Sequence, residues 1–134
     1  RMDRICANSL KVAKYLQKHP KVRWVNYAGL PDHPSHALAQ KYMGGRASGI
    51  LTFGIDGGRA GGARFQDALK LFVRLVNIGD AKSLACHPAS TTHRQLNPAE
   101  LEKAGVSEDM VRLSVGIEHV DDLLADLDQA LAAA

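Results

Sequence analysis

Between Met2 and His19 the apolar residues Met2, Ile5, Cys6, Leu10, Ala13 and Leu16 recur every three or four positions, which gathers them on one stripe of a helix. Pro20 ends the pattern, because its ring removes a backbone donor and clashes with the preceding turn. The period then changes. "VRWVNY", Val22 to Tyr27, is short, β-branched and aromatic, and predicts a strand. "GLPDHP" is a turn, and Pro34 to Tyr42 a short helix with Gly44 and Gly45 just beyond its end. "GILTFGI", Gly49 to Ile55, is almost wholly apolar and predicts a buried strand closed by Asp56, Gly57 and Gly58.

The glycine-rich "GIDGGRAGG" that follows reads as a flexible strand-to-helix turn. After it, Phe65, Leu69, Phe72, Val73 and Val76 fall at i, i+4, i+7, i+8 and i+11, the strongest helical spacing in the chain. Ser83 to Cys86 predicts a short strand. "NPAELEKAG" predicts a helix marked at both ends: Asn97 can cap it, Pro98 suits the first turn, Glu100 can complete a capping box, and Gly105 lies past the last turn. Met110 to Gly116 alternates strictly, with Val111, Leu113 and Val115 on one face and Arg112 and Ser114 on the other. A final helix carries Leu123, Leu124, Leu127 and Leu131 toward a core and begins with Asp121 and Asp122, where carboxylates suit the positive helix end. About four strands alternate with five helices, which predicts a single α+β domain over residues 1–134, one sheet covered by helices on one side.

Composition adds bounds. At 134 residues, 46% hydrophobic and 23% charged, the chain can bury one core. The net charge of +3 comes from Lys and Arg interspersed with Asp and Glu, and the 5% aromatics form no stacking platform, so no nucleic-acid partner is expected. No apolar run approaches a membrane span and no signal peptide precedes the first helix, so a cytoplasmic protein without membrane contact is expected. Cys6 and Cys86 are far apart and outside any C-x-x-C pair, which suits two reduced thiols. Arg1 already belongs to the first helical pattern, so the chain reads as part of a longer polypeptide.

Four stretches could carry chemistry. "GIDGGRAGG" matches neither G-x-x-x-x-G-K-[ST] nor G-x-G-x-x-G, so a phosphate loop is unsupported. In "DHPSH", His33 and His36 stand three apart with Asp32 adjacent, but Pro34 lies between them and no other ligand cluster is evident, so a polar turn capping the next helix is the better reading. "CHPASTTH", Cys86 to His93, admits three readings. Cys86, His87 and His93 could converge on a metal; Ser90, Thr91 or Thr92 could be a nucleophile beside a histidine base; or the hydroxyls could bond the backbone of an irregular turn. Nothing marks a nucleophile elbow, and the turn is favoured. Arg112, mid-strand, carries a planar fork able to grip a carboxylate bidentately, although a solvated arginine on a polar strand face is the plainer alternative.

The block "IGDAKSLACHPASTTHRQL" followed by "GVSEDMVRLSVGIEHVDDLLADLDQAL" resembles the carboxyl-terminal part of the Cys/Met-metabolism family of pyridoxal-phosphate (PLP) enzymes. "HPKVRWVNYAGLPDHPSHALA" and "GILTFGIDGG" extend the resemblance over essentially the whole chain, and "TTH" and "NIGDAKSL" are most similar to its O-acetylhomoserine sulfhydrylase group. The resemblance implies a fold-type-I enzyme whose small domain has a mainly antiparallel sheet, with residues 1–20 forming the helix that connects to a large domain. That large domain holds PLP through a lysine in an S-x-[TS]-K motif. No lysine here has that context, so this stretch alone is expected to bind no PLP and to catalyse nothing. Its partners would be the amino-acid substrate, the amino-terminal PLP-binding domain of the same chain and further copies in a tetramer.

By the same resemblance, Arg112 matches the arginine that binds the substrate α-carboxylate. Asn77 stands where relatives place a serine that assists it, and Thr92 matches a threonine that braces the arginine. No catalytic residue and no metal ligand is implied. The implied reaction converts O-acetylhomoserine and sulfide or methanethiol to homocysteine or methionine. A cystathionine γ-synthase or methionine γ-lyase type, or an amino-acid-binding α+β module without chemistry, are the alternatives.

Overall fold

A computed structural model describes residues 1–134 throughout. Strands β1 (Val22–Asn26), β2 (Ile50–Ile55), β3 (Val73–Arg74), β4 (Leu84–Cys86) and β5 (Met110–Ser114) form one sheet in the order β1-β2-β5-β4-β3. Every pairing is antiparallel except the short parallel contact of β3 with β4 at the edge. The helices are α1 (Met2–Lys18), α2 (His36–Met43), α3 (Gly58–Ala68), α4 (Pro98–Lys103) and α5 (Val120–Ala132). The expected α+β architecture is present, with five strands rather than four.

One face of the sheet carries the core. Leu51, Phe53 and Ile55 of β2 and Val111 and Leu113 of β5 are at most 1% exposed, and they pack with Val12 and Leu16 of α1, Phe65 of α3 and Leu123, Leu127 and Leu131 of α5. Alternation along each strand puts these residues on the same side. Phe53 and Phe65 meet edge to face, with centroids 5.6 Å apart and planes at 86°, the arrangement that aromatic quadrupoles favour. On α1 the buried stripe gains Val12 and excludes Met2, which is 52% exposed.

The largest departure from expectation lies between residues 57 and 76. The glycine-rich stretch is helix α3, and it ends at Ala68, where Leu69 turns to extended backbone at φ −61°, ψ 136°. The helix expected to run on through Phe72 and Val76 is therefore absent. Its replacement is held by Asp126 of α5, a buried carboxylate that accepts the N–H groups of Lys70, Leu71 and Phe72 at 2.9, 2.8 and 2.9 Å. Three consecutive donors are thus taken by one distant side chain, and the chain passes into β3 instead. Phe72 stays in the core, while Val73 and Val76 are 39% and 49% exposed.

The glycines of α3 serve close approach rather than flexibility. A Cβ on Gly62 would lie 2.3 Å from Nε2 of His87, and one on Gly61 would lie 2.2 Å from the Asp56 carbonyl oxygen. Elsewhere local signals are realised as expected. Asn97 Oδ1 accepts the Glu100 N–H at 3.0 Å, Glu100 Oε2 accepts the Asn97 N–H at 2.9 Å, and Gly105 takes φ +71°. Leu101 of α4 joins Ala89 and Val106 in a second, smaller core. No helix is long and apolar enough to cross a membrane.

Candidate functional site

Arg112 stands in the middle of β5, opposite Thr52 of β2 on one side and Cys86 of β4 on the other. Because Val111 and Leu113 point to the helices, Arg112 points to the opposite, open face of the sheet. It is half-buried, and no carboxylate pairs with it. Its Nη2 donates to the carbonyl oxygen of Val76, in the loop that follows β3. Two residues along the same face, Ser114 Oγ accepts the Gly79 N–H at 3.0 Å. The loop is therefore fastened to β5 at two points, and this cover is why Ser114 is buried although it belongs to the polar side of the strand.

Asn77 follows Val76 directly and is exposed, so the loop carries it to the neighbourhood of Arg112. Arg112 is not among the residues with buried, unpartnered nitrogens, so the rest of its fork reaches solvent. A fixed guanidinium with free donors on an open face can accept a carboxylate without first breaking an ion pair.

"CHPASTTH" is a polar turn built around His87, which is completely buried. His87 Nε2 lies 2.8 Å from the Glu108 carbonyl oxygen, which can only accept, so Nε2 carries the hydrogen and Nδ1 accepts from Ser90 Oγ at 2.7 Å. Its backbone N–H donates to Gln66 Oε1 at 3.1 Å, and its carbonyl accepts from Thr91 Oγ1 at 2.8 Å. Burial lowers the proton affinity of His87, which the bond to Glu108 opposes and the nearby Arg59 reinforces. Both ring nitrogens are committed to the turn, and no anionic group orients the imidazole as a nucleophile's base requires.

Thr92 is not hydrogen-bonded to Arg112. Its Oγ1 bonds Nδ1 of its neighbour His93 at 2.8 Å, and no hydrogen bond links it to the guanidinium. The histidines of "DHPSH" are likewise occupied: His33 bonds Asn26 Oδ1 at 2.7 Å and accepts the Ser35 N–H at 3.0 Å, and His36 bonds the Ala28 carbonyl at 3.1 Å. The turn thus precedes α2 as expected, but no side chain caps the helix: His33 accepts the N–H of Ser35, the N-cap residue itself. No group of three or more His, Cys, Asp or Glu converges as a metal site would need.

PLP is attached through a lysine amine, and the lysines here do not fit that task. Seven of the eight are exposed, and the half-buried Lys21 spends its ammonium on the carbonyls of Ala132 and Ala134, each at 3.2 Å. The sequence pattern identified Arg112 and its face, but not the carbonyl of Val76 or the flanking Thr52 and Cys86. Strand alternation tells which residues share a face along one strand, whereas these neighbours depend on register between distant strands.

The family model for Cys/Met metabolism PLP-dependent enzymes matches residues 1–132. The chain is 54% identical over 132 residues to O-acetyl-L-homoserine sulfhydrylase 1 of Thermus thermophilus, covering 98% of this chain and 31% of that protein. It is 50% identical to the homocysteine synthase of Schizosaccharomyces pombe, covering 100% and 31%, and 50% identical to an L-methionine gamma-lyase of Pseudomonas deceptionensis, covering 99% and 33%. A crystal structure described as an O-acetylhomoserine (thiol)-lyase from Campylobacter jejuni, which contains a pyridoxyl-lysine phosphate residue, superposes with a TM-score of 0.90 at 44% identity over 98% of this chain and 31% of its own. The chain thus spans about a third of the length of the relatives it matches. It belongs to the Cys/Met metabolism family of PLP-dependent enzymes.

Proposed function

We propose that this chain is the carboxyl-terminal, substrate-binding domain of a cytoplasmic enzyme that replaces the acetoxy group of O-acetylhomoserine with sulfide or methanethiol, giving homocysteine or methionine and acetate. The observation that carries the reading is Arg112: a fork without an anionic partner, held by one backbone carbonyl on the open face of the sheet. Its remaining donors suit the α-carboxylate of an amino acid, and holding that carboxylate fixes the direction of the Cα–H bond. Asn77, next to the Val76 anchor, is placed to add a donor, and Thr92 acts at a distance by stabilising the turn after β4.

The lysine and PLP belong to an amino-terminal large domain, reached through a connection that takes in residues 1–20. PLP supplies the electron sink for carbanion chemistry at Cα. Ile78, 62% exposed in the loop beside Arg112, supports the open face as the side that meets this domain, and a tetramer of the joined chains completes the assembly.

Arg112 would serve a γ-lyase equally well, and the similarity to a methionine gamma-lyase keeps that second reading in view. The enzyme that joins this chain to its PLP-binding domain is assayed with O-acetylhomoserine plus sulfide, and separately with methionine alone. Homocysteine formation without thiol release from methionine is the expected result. Thiol release from methionine, with no γ-replacement of acetate, would transfer the assignment to the lyase.

A further inference from the structure

Between α3, the end of β3 and the turn after β4 lies a cavity of about 460 Å³, within the range of small-molecule sites. It exists because the β3–β4 ladder stops early. The Leu75 N–H donates to the Ala85 carbonyl at 3.2 Å, but the next donor on the β4 side, the His87 N–H, turns to Gln66 Oε1. The two backbones part there, and Gln66, Asp67, Arg74, Val76, Cys86 and Thr91 are among the residues lining the gap.

Three features give this cavity a chemistry. Gln66 is 94% buried by its 6% exposure, its Oε1 is used by His87, and its Nε2 has no hydrogen-bond partner. That nitrogen is not sealed in protein either, so it opens into the gap. Arg74 and Asp67 stand together as an ion pair, with side chains 57% and 68% exposed. Ala63, Ala85, Leu75 and Cys86 form the apolar remainder.

We infer that the cavity binds a small zwitterionic α-amino acid. Its carboxylate lies between the Arg74 guanidinium and Gln66 Nε2, its ammonium on the Asp67 carboxylate, and its side chain against Ala85 and Cys86. A molecule with opposite charges on two groups of one carbon matches an opened ion pair of opposite charges, and an exposed pair costs little to open. The site does not rest on the function proposed for Arg112, but its consequence does. Val76 lines the cavity and its carbonyl holds Arg112, so an occupant that moves Val76 alters the grip on the guanidinium.

The test is a titration of the 134-residue chain with L-methionine, followed by backbone amide shifts. Methionine methyl ester, which lacks the carboxylate, and 3-(methylthio)propionate, which lacks the ammonium, are the comparison probes. Saturable shifts at Ala63 to Asp67, Arg74 to Val76 and Cys86 are expected. Asp67→Asn and Arg74→Gln should each weaken binding about tenfold or more, as loss of a charged hydrogen bond does, with the thermal midpoint showing that they remain folded. Equal binding of either comparison probe, or no saturable shift by about 10 mM methionine, overturns the proposal. Shifts centred on Arg112 and Asn77 and abolished by Arg112→Ala overturn it too, while supporting the carboxylate site on the open face.

Discussion

The two faces of the sheet are built from the same strands and do opposite work. On the helix side, Phe53, Val111 and Leu113 are fully buried, and the dry contact of β2 and β5 with α1, α3 and α5 supplies the apolar burial that holds the fold. One residue along on each strand, Thr52, Met110 and Arg112 are only half-buried: the loop after β3 is fastened to this side at Arg112 and Ser114, and the small core around Leu101 of α4 packs on Met110. On the function proposed above, strand alternation separates stability from recognition at the scale of single residues: a change at Phe53 disturbs the fold, and a change at Thr52 or Arg112 disturbs the open face.

The largest effect should come from Phe53→Ala, which removes the edge-to-face contact with Phe65 and leaves a cavity, at a cost of about 3–5 kcal/mol in chemical denaturation. Thr52→Ala should stay within about 0.5 kcal/mol. Equal costs for these neighbours would break the comparison. Next is Asp126→Ala, which orphans the N–H groups of Lys70, Leu71 and Phe72 and should cost about 3 kcal/mol, with faster hydrogen exchange at those three amides. Gly62→Ala, which drives a methyl group into His87, should cost about 1–3 kcal/mol.

The pH response is smaller and comes from His87. Burial holds its folded pKa below the ordinary 6.5, so the unfolded chain binds the proton more readily. Its contribution is intact above the unfolded pKa and declines as pH falls below it, until the folded pKa is passed. Denaturation midpoints measured from neutral pH downward should show this decline, and His87→Gln should lose that part of it. A His87 imidazole that titrates at or above 6.5 by NMR would contradict the buried, neutral hub.

What could be read beforehand follows the same division. The helix-side residues Val111, Leu113, Leu123, Leu127 and Leu131 and the Asn97–Glu100 capping box depend on spacing within one element, and they were legible. Residues 69–76 were not, because a carboxylate 54 to 56 positions away in sequence overrides a regular apolar period. The glycines of α3 misled for a related reason: their purpose is the approach of His87, a contact invisible until the chain is folded. At the site, Arg112 and its face were legible from alternation in "MVRLSVG", while its anchor on Val76 was not. Thr92 makes no direct hydrogen bond to Arg112, its hydroxyl being satisfied locally by His93.

The central claim is that the open face recognises substrate through Arg112 while contributing little to the fold. Arg112→Ala tests it when both properties are measured on the enzyme that joins this chain to its PLP-binding domain. The account predicts a thermal unfolding free energy changed by no more than about 0.5 kcal/mol, unchanged PLP content, and a loss in kcat/KM for the amino-acid substrate on the order of 2–5 kcal/mol, carried mainly by KM. An unchanged kcat/KM, or a loss of activity that merely follows loss of stability, would contradict it.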